Sequence, residues 1–116
     1  MAKKQQKTKV RAKGSAKTGP VWSITDTNAR ALTKAFLSMK NSEEMSAFMR
    51  DLFTESEIVE FSKRFYTARS IAGSTQYAAI EEATGLSSRT IARVKQWYKH
   101  GKGGYKLAIK RWKRQI

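Results

Sequence analysis

The side chains best suited to chemistry in this sequence are two arginines four residues apart, Arg89 and Arg93. At the 100° step of an α-helix, this spacing places both guanidinium groups on one face, with Gln96 at its edge. A guanidinium can form paired hydrogen bonds with a guanine edge or with a phosphate, and the sequence leaves both partners open. The arginines therefore predict a surface that binds nucleic acid.

The helix that would carry these arginines covers residues 88 to about 99, and Ser87 is placed to cap it. Ile91, Val94 and Tyr98 follow at i, i+3 and i+7 and form the inward face. Free N–H groups and the positive end of the helix dipole lie at the helix start and favour base edges or phosphates. The residues placed there are Ser87, Ser88, Arg89 and Thr90.

A shorter helix is predicted over residues 77–84, with Ile80 and Ala83 directed inward. Gly85 follows it and can adopt the positive φ that a tight turn requires. Leu86 is then expected to be a buried plug between the two helices. An ordinary helical hairpin shares this pattern, but the outward arginines and the charge of the region favour a helix-turn-helix.

The predicted helix-turn-helix covers about residues 76–99. Gln76 and Tyr77 begin its first helix and are predicted phosphate contacts, the alternative being a helix cap and a packed aromatic ring.

The distribution of charge also points to a polyanion. The chain has 24 Lys+Arg and 9 Asp+Glu, a net charge of +15. Residues 1–20 and 99–116 each carry seven basic residues and no acidic one, whereas residues 21–98 have a net charge of +1. From residue 83 onward there are ten basic residues and no acidic residue. We expect nucleic acid as the first partner and an anionic membrane surface as the second.

Other kinds of site have little support. The sequence has no cysteine and one histidine, His100, which argues against thiolate or histidine metal sites and a cysteine nucleophile. Glu81 and Glu82 are the only adjacent acidic pair late in the chain and suit a solvated helix face. We therefore expect no enzyme and no cofactor. No apolar run approaches the ~20 residues of a membrane span, so a cytoplasmic, nucleoid-associated protein is expected.

Helical spacing of apolar residues dominates the chain and predicts an all-α fold of five or six helices. Asp26 or Thr25 would cap the first helix, Asn41 would begin the second, and Thr54 with Glu57 forms a capping box for the third. The apolar stripes of these helices are expected to form the core. Residues 1–20 are predicted to be a disordered basic arm, and residues 21–116 an all-α domain.

One long combined motif resembles the Trp repressor-like family of the YerC/YecD type. Its residues are Leu52-Phe53-Thr54, Glu57-Ile58, Phe61, Arg64, Ala68-Arg69, Tyr77, Ile80-Glu81-Glu82, Thr84-Gly85, Ser87, Thr90-Ile91, Arg93-Val94-Lys95, Gly101 and Gly104-Tyr105. The resemblance implies an intertwined all-α homodimer whose two helix-turn-helix units bind successive major-groove faces of a palindromic operator. The resemblance thus implies a DNA-binding transcriptional regulator that acts as a repressor.

In the tryptophan-sensing members of this family, a threonine and two arginines contact the ligand, and those positions match Thr54, Arg64 and Arg93. The small residues that leave room for the indole match Val94 and Trp97. These larger side chains would fill the space, so tryptophan binding is doubtful and Trp97 is expected to occupy the pocket from within. For Arg64 and Arg93, the alternative role is a salt bridge with a neighbouring acidic residue, and for Arg93 a direct contact with DNA is a further alternative.

A basic segment over residues 105–115 contains Leu107, Ile109 and Trp112 among five Lys and Arg residues. It could grip an anionic membrane as an amphipathic helix, but its short apolar stripe favours packing against the domain. The leading hypothesis is a sequence-specific DNA-binding regulator. The alternative is a non-specific nucleoid- or RNA-associated protein bound mainly through its two basic ends.

Overall fold

The computed structural model describes residues 24–115, with side chains to residue 113, and every regular element in this part is helical. The predicted all-α class is confirmed. The predicted basic arm, residues 1–20, lies outside the described residues, and its separation from a domain over residues 21–116 stays a prediction. The six helices described are α1 Thr27–Ser38, α2 Ser42–Leu52, α3 Glu55–Ala72, α4 Tyr77–Thr84, α5 Ser88–His100 and α6 Gly104–Gln115.

The described residues divide into two compact units, with the boundary between Ala47 and Phe48. The described part of the first unit contains α1 and the start of α2, which continues into the second unit. In the second unit, α3 contacts α4, α5 and α6, while α5 also contacts α4 and α6. The long helix α3 is therefore the support on which the helix pair α4–α5 is held.

The first two helices begin where the sequence predicts. Asp26 caps α1, because its carboxylate accepts a hydrogen bond from the Ala29 N–H at 2.9 Å. At α2 the Glu44 N–H donates to the Asn41 side chain, and the Glu44 carboxylate accepts from the Lys40 N–H, each at 2.8 Å. These bonds satisfy N–H groups that have no partner within the helix itself.

The apolar stripes of α1 and α2 are not buried in a single chain, since neither helix contains a buried residue. The expectation that these stripes form part of the core is therefore wrong for one chain. Apolar spacing shows which side of a helix is hydrophobic, but it does not show what covers that side.

The capping box predicted for α3 is confirmed. The Thr54 hydroxyl accepts from the Glu57 N–H at 3.1 Å, and the Glu57 carboxylate accepts from the Thr54 N–H at 2.9 Å. Two donors that the helix leaves unsatisfied are thereby paired, so α3 begins at a defined residue and its inner face has a fixed register.

The core lies where α3, α5 and α6 meet. Ala68 is fully buried against Val94 and Ile109, with half-buried aromatic and aliphatic side chains around them. In the helix pair, Ile80 and Ile91 are buried as predicted. Several half-buried residues pack around the cluster of Ala68, Val94 and Ile109, namely Phe65, Ile71, Ala72, Tyr98 and Tyr105.

One inward position of α4 was predicted wrongly. Ala83 is exposed, and the next residue, Thr84, is buried instead. The Thr84 hydroxyl donates to the Ile80 carbonyl at 2.7 Å and accepts from the Leu86 N–H at 3.1 Å. A buried threonine is acceptable here because both of its hydrogen-bonding roles are used, and the second of them supports the turn.

The C-terminal helix α6 is held to α3 by aromatic contacts with a cation. The Arg69 guanidinium lies 4.4 Å from the Trp112 ring centroid and 5.0 Å from that of Phe65. Such contacts attract a cation to the face of the ring. Together with the burial of Ile109, they confirm that α6 packs against the domain.

The turn between α4 and α5 depends on Gly85, whose φ is 75°. Its N–H donates to the Glu81 carbonyl at 2.7 Å and closes the end of α4. A residue with a Cβ resists this left-handed conformation, whereas glycine adopts it at no steric cost. The predicted role of Gly85 is confirmed.

We expect Gly85→Ala to lower the free energy of unfolding by about 1–2 kcal/mol, the cost of a left-handed backbone for an L-residue. A Cβ at Gly85 would meet no heavy atom within 4 Å, so the backbone alone causes the loss. Gly104→Ala is the matched control, because a Cβ there is equally free but its φ is not positive. Urea unfolding at fixed protein concentration compares the two. Equal losses would contradict the assignment.

Candidate nucleic-acid interface

The outer face of α5 carries the predicted arginines. Arg89, Arg93 and Gln96 are all exposed, while Ile91 and Val94 on the other side are buried. The helix therefore uses one side to hold the fold and presents the other to solvent. That exposed side is long enough to lie in a groove of duplex DNA, which admits an α-helix.

The exposed face of α5 extends one turn beyond Gln96, the last residue that the sequence predicted on it. His100 lies eleven residues after Arg89, which returns it to within about 20° of the same helix direction, and it is exposed at the end of α5. The helical period alone places His100 on this face, whereas a lone histidine taken by itself suggests only a metal ligand or a catalytic group.

The start of α5 is fixed by two hydroxyl groups. The Ser87 hydroxyl accepts from the Thr90 N–H and donates to the Thr90 hydroxyl, each at 3.2 Å. Ser88 and Arg89 are exposed beside this cap, whereas Thr90 is half-buried. Of the four residues predicted at this helix start, Ser87 and Thr90 are thus hydrogen-bonded to each other, and all but Thr90 are exposed.

The start of α4 lies nearby in the fold, since α4 and α5 are in contact. Gln76 occupies the cap position but makes no side-chain capping hydrogen bond, and it is exposed. The Tyr77 ring is half-buried with the Lys95 ammonium 5.6 Å from its centroid. Tyr77 therefore packs within the helix pair, while the Gln76 side chain does not serve as the cap.

A small cavity of about 140 Å³ lies where α3, α5 and α6 approach one another. Arg64, Arg93, Val94 and Trp97, four of the five residues predicted for an effector pocket, line it together. Thr54 is not among the lining residues, and it caps α3 instead. The other lining residues are Glu60, Thr90 and Tyr105.

The cavity carries both charges. The Arg64 guanidinium lies 3.6 Å from the Glu60 carboxylate, one turn earlier on α3, and both side chains are partly exposed. Burial raises the pKa of the Tyr105 phenol, and the positive charge of Arg64 partly offsets this rise. Arg64 and Arg93 thus both line a space that already has one carboxylate at its wall, and a bound anion would meet that negative charge.

Trp97 lies at the wall of this cavity and does not fill it as the sequence predicted, because the residue is 57% exposed. Its ring passes over Gly101, where a Cβ would lie 2.8 Å from the ring atom Cε3 and 2.4 Å from the Trp97 carbonyl oxygen. A glycine is therefore needed at residue 101 for the ring to take this position.

Two other kinds of feature, a metal site and a membrane-spanning helix, are absent from the described part of the chain. No group of three or more His, Cys, Asp or Glu side chains there could hold a metal ion. Within the same residues, no helix is long and apolar enough to cross a membrane.

The comparison with known sequences identifies the family. The family model described as Trp repressor protein matches residues 27–113, which include every described helix up to the middle of the last turn of α6. The chain belongs to the Trp repressor family. This is a family of DNA-binding regulators with a helix-turn-helix, and the resemblance inferred from the sequence is confirmed.

Relatives of the Trp repressor family support the assignment. The YerC protein of Bacillus subtilis (strain 168) is 38% identical over 80 residues, which cover 69% of this chain and 77% of YerC. A crystal structure of a candidate Trp repressor from Staphylococcus aureus matches with a TM-score of 0.72 and 34% identity, covering 77% of this chain and 89% of that one. A TrpR-like protein from Eubacterium eligens matches with a TM-score of 0.72 and 33% identity over 75% and 90% of the two chains.

We expect Ser87→Ala to destabilise the start of α5, with a loss of about 0.5–2 kcal/mol for a missing cap. The Thr90 N–H loses its acceptor, so its amide hydrogen should exchange faster with solvent in an NMR experiment. Ser88→Ala is the matched control, because no side-chain hydrogen bond of Ser88 is present among the described residues. Unchanged exchange at Thr90 in the Ser87 variant would contradict the capping role.

Proposed function

We propose that the protein is a sequence-specific transcriptional regulator, a repressor, that binds the major groove of a palindromic operator as a homodimer. The observation that carries this proposal is the exposed outer face of α5, with Arg89 and Arg93 on a helix-turn-helix held by a buried inner face. As a regulator of transcription it would act on the nucleoid in the cytoplasm.

The residues of the interface have different roles in this proposal. Arg89 lies near the start of α5, where the recognition helix of a helix-turn-helix enters the groove, and we assign it to a base edge. Arg93 and Gln96, one and two turns later, contact either bases or phosphates. Gln76, with its side chain not used as a cap, and Ser88 at the helix start are assigned to phosphates. Tyr77 is likewise assigned to a phosphate, and Ser87 and Thr90 are assigned to a phosphate or a base edge.

A homodimer is supported by apolar surface that one chain leaves uncovered. A groove of about 520 Å³ runs between α3 and α4, and Val59 and Tyr66 in it are 52% and 40% exposed. Neither α1 nor α2 contains a buried residue, although both have apolar stripes. An exposed apolar groove of this kind is typical of a protein–protein interface, and two-fold pairing would present two helix-turn-helix units to one duplex.

We also propose that tryptophan does not regulate this protein. The cavity of about 140 Å³ is well below the ~300–1,000 Å³ of ordinary small-molecule sites. Val94 is 4% exposed and belongs to the core, so it has no room to move aside for an indole ring. Glu60, paired with Arg64, opposes the carboxylate that a free amino acid would bring.

Selection of bound duplexes from a random pool tests the proposed function. Because the recognition face is complete without a ligand, the full chain should enrich one palindrome equally with and without L-tryptophan. Arg89→Ala should weaken binding to that site by about 1–3 kcal/mol and relax the preference at one position of each half-site. Arg30→Ala removes an exposed arginine from α1 and should leave the preference unchanged.

Three results would contradict parts of this proposal. Without any enriched palindrome, the protein is the non-specific nucleoid- or RNA-associated protein that its net charge of +15 also supports. Equal affinity of the Arg89 variant and the parent for the selected site would remove the base contact. Enrichment that requires tryptophan would overturn the ligand-independent mode.

Val59→Gln tests the homodimer. If Val59 is covered by a second copy, an amide placed there loses its water, and the dimer dissociation constant should rise at least about tenfold, equivalent to 1.4 kcal/mol. In a single chain the half-exposed side chain would tolerate the change. Ser56→Gln, at another exposed position of α3, is the control. Analytical ultracentrifugation measures both, and a parent protein that stays monomeric would refute the dimer.

A further inference from the structure

A row of lysines lies on α6, outside the helix-turn-helix. Lys106, Lys110 and Lys113 follow at i, i+4 and i+7 and fall within an arc of about 60° around the helix. All three are exposed. We refer to these three residues as the α6 lysine row.

The charge of the α6 lysine row is not neutralised by the fold. Two ion pairs are present among the described residues, Arg50 with Glu55 and Arg64 with Glu60, and neither involves α6. The sequence from residue 83 onward contains no acidic residue that could join the row from the same region. The three ammonium groups therefore present positive charge to solvent.

The face of α6 formed by Ile109 and Trp112 is already used, whereas Leu107, on the other side of the helix, is 46% exposed. Ile109 is buried, and the Trp112 ring lies against the Arg69 guanidinium at 4.4 Å. A helix that binds a membrane surface must bury its apolar face among the lipids. With that face packed on α3 and α5, a hydrophilic polyanion suits the lysine row better than a bilayer.

The row begins at the end of the recognition helix. The Lys106 ammonium lies 3.5 Å from the Lys99 carbonyl oxygen and 5.7 Å from the Tyr98 ring centroid. This contact joins the first lysine of the row to the last turn of α5, where the exposed face that starts at Arg89 ends at His100. The first lysine of the row thus lies beside the last turn of α5.

The length of the row suits a nucleic-acid backbone. Seven residues of α-helix rise by about 10 Å, and successive phosphates of one DNA strand are about 3.4 Å apart along the duplex axis. Three ammonium groups on flexible stems can therefore reach neighbouring phosphates without a required base sequence.

We propose that the α6 lysine row binds phosphates of duplex DNA next to the bases contacted by α5. The row supplies affinity that depends on salt and not on sequence. This inference rests on the proposed binding of DNA, but it does not require that the binding be sequence-specific.

The test compares the salt dependence of DNA binding for the full chain and for the triple variant K106Q/K110Q/K113Q. The slope of log K against log salt concentration should fall by about 0.9 for each lysine that contacted a phosphate. The ratio of affinities for the selected duplex and a scrambled duplex should stay within about twofold, because phosphate contacts carry no base information. R30Q/K34Q/K40Q removes the same charge from exposed positions outside the second unit and should keep the parent slope.

The triple variant removes the contact of Lys106 with α5 and could therefore disturb the fold. The double variant K110Q/K113Q keeps this contact and serves as the control for folding. It should lower the slope by about two thirds of the effect of the triple variant, with an unchanged circular dichroism spectrum. The proposal is overturned if both variants keep the salt slope of the parent protein. It is also overturned if their slope falls no more than that of the control R30Q/K34Q/K40Q. Reduced binding to anionic phosphatidylglycerol vesicles with an unchanged DNA slope would assign the row to membranes instead.

The same measurements separate this inference from the proposed function. If the parent shows no sequence preference and the row variants still lower the slope, then specificity fails and the lysine row stands. If the preference is present and the slope does not change, then the lysine row fails alone.

Discussion

The close approach of three helices at Ala68 is the constraint on which the second unit depends. This methyl side chain is fully buried against Val94 of α5 and Ile109 of α6, so neither helix is held away from α3. A larger side chain would force them apart or strain its neighbours. Because the buried apolar cluster is small, the orientation of α5 and the position of the basic helix α6 both depend on this contact.

The capping bonds and the turn then fix the details that packing leaves open. The capping box at Thr54 sets the register of α3, and the left-handed Gly85 with the Thr84 hydroxyl sets the direction in which α5 leaves the turn. Ser87 defines the first residue of α5. Each of these bonds is local in sequence, yet together they determine which side of α5 faces solvent and therefore where the arginines lie.

Local patterns predicted the helices, their caps and the outward arginines, since these follow from periodicity and from side chains within four residues. Which residues are buried and where the Trp97 ring lies depend on tertiary contacts, which these local patterns do not contain. Thr84 is buried in place of Ala83, and its hydroxyl is satisfied within the turn by the Ile80 carbonyl and the Leu86 N–H. The ring of Trp97 lies over Gly101 and not inside the cavity, a placement that depends on the bend between α5 and α6. The stripes of α1 and α2 indicated an apolar side correctly but could not indicate its partner.

The separation of the two sides of α5 also bears on how such a protein can diverge. Its exposed residues Arg89, Ala92, Arg93 and Gln96 include none of the buried core. Exchanges at Arg89, Ala92 and Gln96 are therefore expected to leave the scaffold intact, so the chemistry of this face can change by a few substitutions without loss of the fold. Arg93 is the exception, because it also lines the cavity with Arg64, so a change there alters two surfaces at once.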